Sequence, residues 1–125
     1  MVDTLGHILA VVVHAANIHD TVSGIEPFSL ACWKYPTIEA GSGDAGYRKT
    51  FEEAAKKIGR RIDISERIKP KWEILPKRWV VERTFSWMNH SRRLSKDYEI
   101  TTDAEENFVY ISHIHTLLRR LFKNP

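Results

Sequence analysis

Cysteine is almost absent from this sequence of 125 residues, where Cys32 stands alone. A lone cysteine excludes a disulfide framework and predicts a cytosolic protein. Long apolar runs are also lacking, since the longest covers residues 8–13. A membrane-spanning helix needs roughly 20 such residues, so we expect no membrane segment. The first residues lack the basic stretch of a signal peptide, and the chain contains no internal repeat or low-complexity segment.

What the sequence does have is the composition of one soluble globular domain, with 42% hydrophobic and 28% charged residues. The net charge of +3 is unevenly distributed. Residues 48–96 hold 15 Lys and Arg against 6 Asp and Glu, a net +9, whereas the rest of the chain is at −6. This local excess predicts a polyanionic partner such as nucleic acid. An ordinary solvated basic surface is the alternative.

Strand and helix patterns alternate along the chain, which predicts an α/β domain with at most three short strands. Predicted strands cover residues 8–13, 37–43 and 61–68, and predicted helices cover residues 21–34, 47–58, 77–96 and 103–123. Gly59 is the predicted stop of the second helix, and residues 70–76 are a predicted loop. Val81, Phe85 and Met88 recur at helical spacing and predict the buried face of the third helix. Thr102 and Glu105 have the spacing of a capping box, which predicts the start of the last helix.

Two segments carry most of the functional signal. The first is GDAGYR at residues 43–48, and the second is RWVVERTFSW at residues 78–87, followed by RRL at 92–94 and DYE at 97–99. In this order the segments resemble the blocks around the second and third acidic residues of DDE-type insertion-sequence transposases. The stretch at residues 16–20 resembles the same family. Because the resemblance runs along nearly the whole chain, it implies DNA transposition.

The resemblance implies that Asp44 and Glu82 are the second and third members of a catalytic acidic triad. Phosphoryl transfer on DNA by two metal ions needs hard divalent cations, which prefer carboxylate oxygens. Asp44 and Glu82 are therefore the predicted catalytic and metal-binding residues, with two Mg²⁺ or Mn²⁺ ions expected in the complete enzyme. The plainer alternatives are a turn residue for Asp44 and a helix-surface ion pair for Glu82.

The same resemblance implies a phosphate contact for Arg78, one helical turn before Glu82. The other predicted DNA-binding residues are Arg83, Arg92, Arg93, Lys96 and Trp79. Trp79 or Trp87 is expected to stack on a base, although a place in the core is the commoner role for tryptophan. The sequence departs from the family at Leu75 and Asn89, where related transposases often have tyrosine and lysine. All six histidines are interpreted as structural or surface residues rather than zinc ligands.

The implied fold is an incomplete ribonuclease-H-like one, with a few short strands, flanking helices and two C-terminal helices. Residues 2–6 resemble the end of the family's second strand, so the first catalytic aspartate is expected upstream and Asp3 is a poor substitute for it. Residues 1–125 are thus predicted to be the C-terminal part of a catalytic domain, inactive alone. Both a decayed element and one reading frame of a split transposase fit this prediction.

The predicted partners are terminal-repeat DNA and target DNA, in a cytoplasmic and nucleoid-associated setting. Self-association and pairing with an upstream half of the transposase are both left open. The alternative function is that of a non-catalytic remnant that binds DNA or interacts with an intact transposase. A protein-interaction role for the helix predicted at residues 103–123 is a third hypothesis.

Overall fold

The computed structural model describes residues 1–18, 23–44, 46, 48–65 and 78–123. Within these residues it contains four α-helices, a two-stranded sheet and a short 3-10 helix at Arg92–Leu94. The elements are α1 (Ile25–Lys34), β1 (Ala40–Asp44), α2 (Arg48–Lys57), β2 (Arg61–Ser65), α3 (Arg78–Met88) and α4 (Thr102–Lys123). The small α/β architecture predicted from the sequence is therefore confirmed. The loop predicted at residues 70–76 lies outside the described residues.

The two strands are parallel and are joined by α2. Ala40 pairs with Arg61, and the register runs without interruption to Asp44 and Ser65. Helix α2 ends at Lys57, and the turn that closes it contains Gly59, whose φ of 69° is easy only for glycine. The amides of Gly59 and Arg60 bond back to the carbonyls of Lys56 and Ala55 at 3.0 and 2.9 Å, which is a Schellman motif. Gly59 was the predicted helix stop, and it leads the chain directly into β2.

An apolar cluster lies between α1, α2 and this sheet. Phe28 and Phe51 are 3% and 8% exposed, with ring centroids 5.3 Å apart and planes tilted by 53°. Ala55 is buried beside them, and Ile62 of β2 packs against the cluster. Gly41 leaves space for the ring of Phe28, because a Cβ atom there would come within 2.8 Å of Phe28 Cε2. This cluster fixes the position of the β1 and β2 strands.

The N-terminal segment differs from the prediction. Residues 8–13 form no strand, and Ile8 makes only an isolated antiparallel bridge with Val2. Their backbone amides bond instead to side chains of α4. The bonds join Ile8 to Nε2 of His113, Val11 to Oη of Tyr110 and Val13 to Oε1 of Glu106, at 3.1, 3.1 and 2.8 Å. Spacings of three and four residues place these side chains on one face of α4, so the helix occupies the position of a neighbouring strand.

Gly6 joins the N-terminal segment to α3. Its φ is 83°, and a Cβ atom at this position would lie 2.9 Å from Oγ1 of Thr84. The Thr84 hydroxyl, buried at 2% exposure, lies 2.8 Å from the Gly6 carbonyl and 3.0 Å from that of Val80, so it can donate to either. The neighbouring carbonyl of Leu5 accepts a 2.7 Å bond from the Arg83 guanidinium. A side chain at Gly6 would separate these groups.

The buried face of α3 is displaced by one residue from the prediction. Val80 and Thr84 are buried, whereas Val81 and Phe85 are 41% and 57% exposed. The prediction was wrong because Val80 and Val81 are equally apolar, and only the contact with Gly6 selects the face that carries Thr84. This rotation places Glu82, two residues from both Val80 and Thr84, on the solvent side of the helix.

Helix α3 is also shorter than predicted, and α4 starts with a different cap. The predicted helix reached residue 96, but α3 ends at Met88 and a turn follows in which the Ser91 amide bonds to the Met88 carbonyl at 2.8 Å. Asn89, His90 and Ser91 have modest helix propensity, which favours the break. At α4 the Ala104 amide donates to the hydroxyl of Thr101, so Thr101 is the N-cap rather than Thr102.

Candidate catalytic carboxylates and nucleic-acid interface

Asp44 is the last residue of β1. Its backbone pairs with Ser65, the last residue of β2, in the parallel register. The carboxyl ends of parallel strands meet at one edge of a sheet, and ligand sites of open α/β sheets lie beside that edge. Asp44 therefore lies at the edge of the sheet where β1 and β2 both end.

Glu82 lies in the second turn of α3, with its side chain exposed. Among the side chains that the structure describes, none forms an ion pair or hydrogen bond with its carboxylate. Arg78 is the first residue of α3 and lies one turn earlier, on the side of the helix that carries Glu82. The carboxylate is thus available to a ligand, and the convergence of Asp44 with Glu82 stays a prediction.

Arg83 stacks between two tryptophans of the same helix. Its guanidinium carbon lies 4.4 Å from the ring centroid of Trp79 and 4.9 Å from that of Trp87. From α4, Arg120 stacks on Trp87 at 3.8 Å. Arg83 also donates a hydrogen bond to the Leu5 carbonyl, and this bond links α3 to the N-terminal segment. Trp79, at the open end of this stack, remains 42% exposed.

Arg93 is also held by intramolecular contacts. Its Nε donates a 2.7 Å bond to Oε1 of Glu99, whose side chain is only 13% exposed. The guanidinium carbon lies 4.8 Å from the ring centroid of Phe108 on α4. The hydrogen bond that Arg93 donates to Glu99, together with the negative charge of Glu99, raises the pKa of Arg93 above its usual value. Sequence spacing gave no sign of the pair, because residues six apart are not neighbours on a helix and lie about 20 Å apart along a strand.

Arg92 and Lys96 differ from Arg93, which lies in the same turn. Both side chains are exposed. Neither cation has an ion-pair or hydrogen-bond partner in the described part of the chain. The turn therefore carries two cations that solvent or a polyanion can reach, beside one that is neutralised internally. Together with Arg78, Arg83 and Trp79 of α3, these residues place all the predicted DNA contacts on α3 and the turn that follows it.

Asp3 and His7 hold the turn at Leu5 and Gly6 through polar contacts that were not predicted from the sequence. The Asp3 carboxylate accepts 2.8 Å bonds from the amides of Leu5 and His7, and its second oxygen lies 3.2 Å from Nδ1 of His7. Burial alone would raise the pKa of Asp3, but the backbone bonds and the charge of His7 outweigh it and lower the pKa. The Asp-x-x-Gly spacing before Gly6 was an available signal for such a turn.

A metal site with a full ligand set is not present in the described residues, where no three His, Cys, Asp or Glu side chains lie close enough to hold one ion. The two carboxylates implied by the resemblance are hard oxygen donors of the kind that Mg²⁺ and Mn²⁺ prefer. Glu82 fits such a role because its side chain is exposed and its carboxylate pairs with no described side chain.

Comparison with known proteins defines the class to which these features belong. The model of the transposase DDE domain family matches residues 1–117. The chain therefore belongs to the transposase DDE domain family. No curated protein and no solved structure gives a significant match. Among the described helices, none is long and apolar enough to cross a membrane.

Proposed function

We propose that this chain supplies Asp44 and Glu82 to a two-metal site for DNA strand cleavage and transfer, in a ribonuclease-H-like catalytic domain. The observation that carries the proposal is the family match over residues 1–117, which contains both acidic blocks. The position of Asp44 at the carboxyl end of β1 supports it, as does the exposed carboxylate of Glu82. When bound, the divalent ions would activate the attacking oxygen and stabilise the leaving one.

The residues of this chain would bind and orient the DNA around that site. Arg78, Arg92 and Lys96 are the proposed phosphate contacts, and the half-exposed ring of Trp79 is the proposed stacking surface. Arg83 and Arg93 belong to the same basic surface, although their intramolecular bonds favour a supporting role. Element ends and target DNA are the proposed partners, because the family acts on DNA.

Calorimetric titration with Mg²⁺ or Mn²⁺ tests the carboxylate site directly. We expect weak binding that is lost in both Asp44→Asn and Glu82→Gln. Glu53→Gln is the matched control, since Glu53 is an exposed acid of α2. Loss in both site variants with no change in the control would support convergence of the two carboxylates. Binding that is indifferent to both changes would contradict it.

The resemblance implies a third carboxylate upstream of the matched blocks, so we propose that residues 1–125 alone do not cleave DNA. The second candidate function is DNA binding without cleavage. It is favoured by the exposed cations of Arg92 and Lys96, which require no metal to contact phosphate. Salt-sensitive binding to a DNA duplex in the presence of a chelator would support this function, and metal-dependent nicking by the same chain would exclude it.

A further inference from the structure

We propose that Glu99, Arg93 and Phe108 form a clamp that positions Arg92 and Lys96 for phosphate binding, so that an acidic residue promotes the binding of DNA. The inference rests on the proposed DNA-binding function. It assigns Arg92 and Lys96 as the phosphate ligands of the turn between α3 and α4. Arg93 and Glu99 become positioning residues in this assignment.

The turn is fastened to α4 on both sides of Arg92. Before it, the Ser91 hydroxyl lies 2.5 Å from that of Ser112, which is 5% exposed on α4. After it, Arg93 bonds to Glu99 and stacks on Phe108 of α4. Because its two neighbours are fixed, the backbone of Arg92 has little freedom, which lowers the entropy cost of ordering it on a phosphate.

Local hydrogen bonds hold the rest of the turn toward Lys96. The Leu94 amide donates to the Ser91 carbonyl at 2.9 Å, and the Ser95 hydroxyl donates to the Arg92 carbonyl at 2.8 Å. Lys96 therefore leaves a closed 3-10 turn at a defined point. Its ammonium has no partner among the described residues, so its position is available for an external anion.

The charges of the turn distinguish the two roles. Arg93 and Glu99 neutralise each other at 2.7 Å, and the carboxylate of Glu99 is largely shielded from solvent at 13% exposure. The other N–H groups of Arg93 can still reach a phosphate, but its charge is already offset by Glu99. Drawing Arg93 away from Glu99 would leave a largely shielded carboxylate unpaired, which is costly. Arg92 and Lys96 need break no such bond.

The decisive variant is Glu99→Gln, measured by the anisotropy of a labelled random-sequence DNA duplex over a range of salt concentrations. Simple electrostatics predicts tighter binding, because the substitution removes a negative charge. The clamp predicts the opposite sign, a loss on the order of twofold to fivefold, as for one weakened surface contact. Asp97→Asn is the matched control, since Asp97 is an exposed acid of the same turn and should show equal or tighter binding when neutralised.

The salt dependence separates ligands from positioning residues. Arg92→Ala and Lys96→Ala should each reduce the slope of log K against log salt by about 0.9, the value for one phosphate contact. Arg93→Gln combined with Glu99→Gln should weaken binding no more than either change alone, because the two residues act as one unit. Far-ultraviolet circular dichroism of each variant checks that the helices persist.

The experiment distinguishes failure of the clamp from failure of the proposed DNA-binding function. If the unaltered chain shows no salt-sensitive binding to DNA, both are overturned. If it binds DNA and Glu99→Gln binds equally well or more tightly, the clamp is overturned and the DNA-binding function stands. Weaker binding by Glu99→Gln, with unchanged or tighter binding by Asp97→Asn, supports the clamp.

Discussion

The half of the molecule built on β1 and β2 is held together by apolar side chains, whereas the half built on α3 and α4 relies on polar ones. Phe28 and Phe51 dominate the first half. Thr84, Ser112 and His113 are the buried polar residues among those described, and all three lie in the second half. Each of the three makes a hydrogen bond, to Gly6, Ser91 and Ile8 respectively.

This difference shows how one small chain combines a sheet fixed by apolar packing with cations fixed by directional contacts. Apolar packing is non-directional and fills the space beside β1, so it fixes the backbone at Asp44. Hydrogen bonds and stacked guanidinium groups are directional, and they fix where the cations of α3 and its following turn point. Helix α4 still exposes Ile114, Leu121 and Phe122 at 54%, 72% and 84%, so apolar burial contributes less on its outer side.

Phe28→Ala should give the largest effect, because Phe28 is the more buried of the two phenylalanines in the apolar cluster. We expect the free energy of unfolding to fall by about 3–5 kcal/mol, the usual cost of truncating a buried phenylalanine. Urea denaturation followed by circular dichroism measures it. Trp33→Ala is the control, since Trp33 is 79% exposed on the same helix and should change little. Equal losses for the two variants would show that this cluster is not a core.

Thr84→Val tests the polar half at its most buried side chain. Valine keeps the shape but removes the hydroxyl that lies 2.8 Å from the Gly6 carbonyl, so a loss of about 1–3 kcal/mol is expected. Thr84→Ser retains the hydroxyl and should lower the free energy of unfolding less. Urea denaturation measures both variants. In the double variant of Thr84→Val with Phe28→Ala, the two losses of unfolding free energy should add, because the two residues share no contact. A valine variant as stable as the unaltered chain would contradict a role for this hydrogen bond.

Local features of the fold were predictable from the sequence, and features that depend on a distant partner were not. Gly59 was predicted correctly because the left-handed conformation it adopts is a property of glycine itself. Residues 8–13 look like a strand by their β-branched composition, but a strand also needs a neighbour. Here His113, about a hundred residues away, provides the bond to Ile8. No local pattern contains that information.

The candidate site shows the same division. Asp44 and Glu82 were identified through motifs, which are local, and the family match covers both. The bond between Arg93 and Glu99 was missed, because it depends on where the chain turns after α3 ends early. Arg92 and Arg93 therefore looked equivalent in the sequence, although the structure pairs Arg93 with Glu99 and gives Arg92 no partner among the described residues.

Acidification should weaken the polar half alone, through His113. Burial lowers the pKa of His113, and the charges of His7 and Arg120 lower it further. A histidine with a lowered folded pKa binds protons more readily in the unfolded chain, so its stabilising effect is complete above about pH 6.5 and is lost as the pH falls below that value. Protonated Nε2 cannot accept the Ile8 amide, which costs about 0.5–1.5 kcal/mol, the net contribution of one hydrogen bond. Hydrogen exchange, corrected for intrinsic rates, should show protection falling at Ile8 while the β2 amide of Arg61, which donates to the Glu39 carbonyl, is unaffected. An equal loss at both amides would mean that acid unfolds the whole chain, and the distinction between the two halves would not hold.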